Sequence, residues 1–126
     1  MAENTLDLET CYLQLHGEDL IELHIKPEQV LQPDKIREIF DAIHEHFPQA
    51  LGLIVTAGKK ATLSQEARDL VSSEGITNQI TADAIVTEHY SHQMAANFFV
   101  RHNQPHRPTK LFKTIEEAKT WLREQI

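Results

Sequence analysis

Between Cys11 and Leu15 apolar and polar residues alternate, the period of a half-buried strand. His16-Gly17-Glu18-Asp19 reads as a turn and residues 20–25 as the return strand, so an antiparallel hairpin is predicted. The clearest helix follows Pro33. Ile36, Ile39, Phe40, Ile43 and Phe47 recur at three and four residues, Asp34, Lys35, Arg37, Glu38, Asp41 and Glu45 hold the opposite face, and Pro48 stops it. Residues 50–55 are apolar without alternation, as in a central strand covered on both faces. Thr62 or Ser64 is placed to cap a second helix with Ala67, Leu70 and Val71 inward and Gly75 at its end. Residues 82–87 read as a strand. A third helix is predicted over residues 91–101 with Met94, Ala95, Phe98 and Phe99 inward, broken by Asn103, Pro105 and Pro108. Residues 109–112 form a last short strand, and the capping box Thr114-Ile115-Glu116-Glu117 opens a helix burying Ile115, Ala118, Trp121 and Leu122. The predicted order is β-β-α-β-α-β-α-β-α, an α/β fold in which right-handed crossovers lay helices against a mixed sheet.

A chain of 126 residues fits one domain with one real core, so residues 1–126 are read as a single unit. Its formal charge of −7 repels phosphate backbones and argues against nucleic acid as a partner. Cys11 is the single cysteine, residues 1–7 carry no basic stretch leading into an apolar run, and no apolar stretch approaches the roughly 20 residues of a membrane span. These features together lead to the expectation of a cytoplasmic protein.

Eight histidines invite a metal reading. His89-x-x-His92 and His102-x-x-x-His106 have zinc-like spacing, but no cysteine joins them, and a helix between the pairs would hold them about 15 Å apart. His44 and His46 do not share a helix face. Solvated or capping histidines are the simpler reading, and neither metal nor cofactor is expected. Most carboxylates fall on outer helix faces, Cys11 lies in a strand as a structural thiol, and no Gly-rich phosphate loop or nucleophile elbow is present. No catalytic residues are assigned.

Two surfaces remain. Ligands of α/β sheets sit beyond the carboxyl ends of parallel strands. There Lys59, Lys60, Ser64, His89, Tyr90 and His92 would gather near helix amides, a combination suited to an anionic group. A stripe of Arg101, His102, Arg107, Lys110 and Lys113, without an acidic residue from 101 to 113, would face an acidic partner or an anionic membrane. Phe99, adjacent to Phe98 and pointing about 100° away from it, joins Arg101, Arg107 and Lys110 as a candidate partner surface.

Asn97-Phe98-Phe99, Asn103-Gln104-Pro105, the run from Pro108 to Phe112, Thr114-Ile115-Glu116-Glu117-Ala118 with Trp121-Leu122, and the helix-opening Ser64-Gln65-Glu66-Ala67-Arg68 together resemble the SpoIIAA-like family of small bacterial proteins. That family shares its fold with anti-sigma-factor antagonists (the STAS fold) and with CRAL-TRIO lipid-binding domains. The resemblance implies a SpoIIAA-like sheet and a non-enzymatic regulatory or protein-interaction module, a homodimer with a further, unknown protein partner. Through the lipid-binding relatives it implies instead a binder of a small amphipathic or anionic ligand. STAS-type antagonists carry a phosphorylatable serine in an Asp-Ser-x-Gly-like segment. The run from Thr56 to Ser64 lacks that motif, so no phosphoswitch is carried over.

Overall fold

The computed structural model describes residues 4–126; of the N-terminal segment considered above, residues 1–3 lie outside the described residues. The predicted hairpin is β2 (Cys11–His16) and β3 (Leu20–Ile25), paired from Cys11↔Ile25 to His16↔Leu20 across a turn in which Gly17 takes φ +68°. A short strand, β1 (Thr5–Asp7), adds an edge beside β2 that the pattern did not reveal. Next come β4 (Val30–Leu31), α1 (Pro33–His46), β5 (Gly52–Ala57), β6 (Thr62–Leu63) and α2 (Gln65–Val71), then a 3₁₀ turn over Glu74–Ile76. The chain finishes with β7 (Ala82–Val86), α3 (Tyr90–Asn103), β8 (Thr109–Phe112) and α4 (Ile115–Gln125). The predicted order is therefore present with β1, β4 and β6 added. Strands β4 and β6 form a separate two-residue parallel ladder, too short to leave a period in the sequence.

The main sheet runs β1-β2-β3-β5-β7-β8, antiparallel through β3 and parallel from there on. Successive side chains point to opposite faces of a strand. Ile21, Leu23 and Ile25 of β3 and Leu53 of β5 thus join Ile36, Ile39, Phe40 and Ile43 of α1 in the larger core. Leu20, Ile54, Ala82 and Ala84 point the other way and pack with Ala118 and Leu122 of α4. Helix α4 forms as expected. Thr114 Oγ1 accepts from the Glu117 amide at 3.2 Å, and Trp121 packs its ring 5.5 Å from Phe112.

Two expectations are corrected. Helix α2 stops at Val71 and not at Gly75, because Ser72 and Ser73 donate their hydroxyls to the carbonyls of Asp69 and Leu70, one of the ways these residues compete with a helix. Of its predicted inward residues only Ala67 is fully buried; Leu70 and Val71 are half-buried against the core. Helix α3 forms, but turned from the expected orientation: Ala96 is its one buried residue, while Met94 and Phe98 point to solvent. Residues 94, 95, 98 and 99 make two neighbouring stripes, of which the helix turns Phe99, half-buried, toward the sheet and leaves Ala95 exposed at the edge.

Cys11 is fully buried in β2. Burial pushes its thiol from 9.0 up to about 11. The native protein is therefore expected to resist thiol alkylation at pH 8 and to react only on unfolding, which mass spectrometry across a denaturant series would read. Since the folded value is the higher one, this stabilisation is complete below pH 9 and disappears as the pH rises toward 11.

Candidate ligand cavity

The parallel part of the sheet, with α1, α2 and α3 over it, does not close completely. Between them lies a cavity of about 790 Å³. Its floor is Leu23, Ile25, Leu53, Val55 and Ile85 from three strands, and one wall is Ile36, Ile39 and Phe40 of α1. The side chains at Ala57, Ala61, Ala95 and Ala96 are too short to fill the gap. Protein interiors are packed nearly as tightly as organic crystals and leave few voids larger than a water molecule. A space this large lies within the roughly 300–1,000 Å³ usual for small-molecule sites.

Exposed residues among the lining mark the opening: Lys59, Lys60 and Thr62 after β5, and His89, Ser91 and Ala95 at the start of α3. The loop carrying the lysines is tightly built. A Cβ on Gly58 would come within 2.7 Å of the Pro27 nitrogen, and Lys60 takes a left-handed φ of +64°. Across the mouth, Thr87 Oγ1 accepts from the His89 amide at 3.2 Å, and the His89 and His92 rings meet edge to face at 5.8 Å. Four of the six predicted ligand residues, Lys59, Lys60, His89 and His92, thus border one cavity. The other two do not. Ser64 is the N-cap of α2, its Oγ accepting from the Ala67 amide at 3.1 Å, and Tyr90 projects outward.

The predicted partner stripe is dispersed. Arg101 and Lys110 are exposed, but Phe99 is half-buried and turns into the cavity. Arg107 is buried: its Nη2 donates to Asp83 Oδ2 at 2.7 Å and to the Val71 carbonyl at 2.8 Å, and its Nε spans both carboxylate oxygens at 3.2 Å. Burial raises the Asp83 carboxyl, against the opposing pull of this guanidinium. Asp83 and Arg68 both line the cavity, and Arg68 Nε is a buried donor without a hydrogen-bond partner among the described residues. Neither had been selected from the sequence. A carboxylate inside an apolar strand signals a required partner, but nothing local identifies one 24 residues away.

On the opposite sheet face lies a polar chain. Thr56 Oγ1 donates to Glu22 Oε2 at 2.8 Å, so its 2.8 Å contact with His24 Nδ1 is donated by the imidazole; His16 Nε2 meets Glu22 Oε1 at 2.9 Å. Tyr12 stacks on His24 at 4.8 Å between ring centroids. Among the described residues no three His, Cys, Asp or Glu side chains gather as metal ligands, and no helix is long and apolar enough to cross a membrane.

Fold and cavity together define an α/β domain with a mixed sheet and four helices, hollow between the sheet and three of them. The chain belongs to the family described as a domain of unknown function, DUF7793, which matches residues 13–126. No curated protein and no solved structure matches it.

Proposed function

We propose that this chain binds a small amphipathic ligand, with an apolar portion inside the cavity and an anionic head at Lys59, Lys60, His89 and His92. The observation that carries this reading is the cavity itself, mostly apolar on its floor and walls apart from the paired Asp83 and from Arg68, with lysines at its mouth. Apolar lining stays dry and favours hydrocarbon, while the lysines supply charge where the chain meets water. Arg68, whose Nε–H meets no acceptor among the described residues, offers a further donor along the wall. The proposed SpoIIAA-like architecture agrees with this role through its lipid-binding relatives.

Calorimetric titration with straight-chain carboxylates of increasing length tests the proposal. Affinity is expected to rise about fourfold per methylene, following about 0.8 kcal/mol per buried CH₂, and then to level once the cavity is full. Alcohols of equal length should bind more weakly. Absence of heat at every length, or affinity independent of length, overturns the reading.

A second reading, a regulatory protein-interaction module of the SpoIIAA-like kind, has one observation in its favour: the apolar side chains that α3 leaves in solvent.

A further inference from the structure

We propose that the outer face of α3, with the cationic rim beside it, docks on an anionic membrane surface. The docking geometry stands by itself; that the membrane delivers the cavity's ligand rests on the amphipathic-ligand reading.

Tyr90, Met94 and Phe98 follow one another at four-residue steps and are 76%, 56% and 54% exposed. At 3.6 residues per turn, Arg101 continues their stripe, whereas His92, Ala95, Ala96 and Phe99 face the cavity from the other side of the helix. A helix with Tyr, Met and Phe on an outer face and a cation at its end suits the boundary between headgroups and acyl chains. The charge around it is complementary to such a surface. Although the chain carries −7 overall, no Asp or Glu occurs from His89 to Ile115. Lys59 and Lys60 stand at the mouth beside the helix start, and Lys113 lines a smaller cavity of about 390 Å³ that shares Thr56, Ala57, Val86, Thr87 and His89 with the main one. Glu88, also in its lining, sets one exposed carboxylate against these three lysines. Basic residues near an anionic leaflet each contribute on the order of a fivefold gain in binding.

A second copy is a poorer occupant. Two-fold pairing would bring together two chains that each carry −7, and a parallel pairing through α3 would also set Arg101 and His102 against their own copies. An acidic protein would answer the charge but not the arrangement, since the apolar stripe borders the open mouth of an apolar cavity. A bilayer satisfies both.

Vesicle flotation of the full chain tests this, with phosphatidylcholine alone and with phosphatidylglycerol added. The protein should float with the anionic vesicles and not the neutral ones, and less so as salt is raised. Arg101→Glu should weaken flotation about fivefold or more. Met94→Glu with Phe98→Glu should abolish it while leaving the melting temperature and the carboxylate titration unchanged. Flotation that persists while no carboxylate binds would sink the ligand reading and keep this one. The inference is overturned if anionic vesicles float no protein. It is equally overturned if the double variant floats like the wild type, if that variant dissociates a wild-type dimer, or if polyglutamate binds the same stripe as tightly as the vesicles do.

Discussion

Arg107→Ala is expected to destabilise the fold by about 3–5 kcal/mol, the usual consequence of stranding one member of a buried ion pair. Both partners are more than nine-tenths buried, and the guanidinium engages the carboxylate through Nε and Nη2 together. It also ties β7 to the end of α2 through the Val71 carbonyl and lies 5.9 Å from the Phe40 ring centre, so the loss extends to packing. Chemical denaturation should therefore show a large fall in the midpoint. The deficit relative to wild type should shrink as the solution is acidified. Without its arginine, Asp83 is left with burial alone. That raises its carboxyl further above the ordinary value, and a group raised on folding favours the folded state once protonated. Asp83→Leu with Arg107→Met should recover most of the loss, because no charge then remains buried. A deficit in Arg107→Ala below about 1 kcal/mol would show that the pair does not hold this region.

The same residue shows what the sequence contained and what it did not. Alternation in β2, the three-and-four spacing of α1 and the capping box of α4 are local signals, and each element formed where its pattern lay. Arg107 looked like a member of a solvated stripe because charge alone does not tell a side chain which face it will meet. Its partner comes from a strand whose Asp83 register is set by pairing with Thr109, a tertiary fact. Helix α3 was legible as a helix, but its rotation was not. Met94 with Phe98 and Ala95 with Phe99 are equally good apolar stripes at the level of period, and the choice between them depends on what the sheet offers beneath. For the site, strand order sufficed to bring Lys59, Lys60, His89 and His92 to one end, since β5 and β7 are parallel neighbours. The volume below them was invisible, because it arises from alanines on three separate segments (57, 61, and 95 with 96) that fail to meet across the gap.

That volume makes the sharpest test of the binding proposal. Val55→Phe on the cavity floor, or Ala95→Phe at its opening, should lower affinity for long-chain carboxylates about a hundredfold, since displacing three or four methylenes loses roughly fourfold for each. Stability should respond in the opposite sense. An added ring in a packed core usually costs about 1–3 kcal/mol, whereas one that fills an existing void is neutral or contributes about 0.5–2 kcal/mol. The charge at the mouth acts differently from volume. Lys59→Ala with Lys60→Ala should weaken every carboxylate by a similar factor, leaving the dependence on chain length intact, while the phenylalanine variants should flatten it. Phenylalanine variants that are markedly destabilised yet bind long chains undiminished would mean that the space is already closed in solution and that ligand, if any, binds elsewhere.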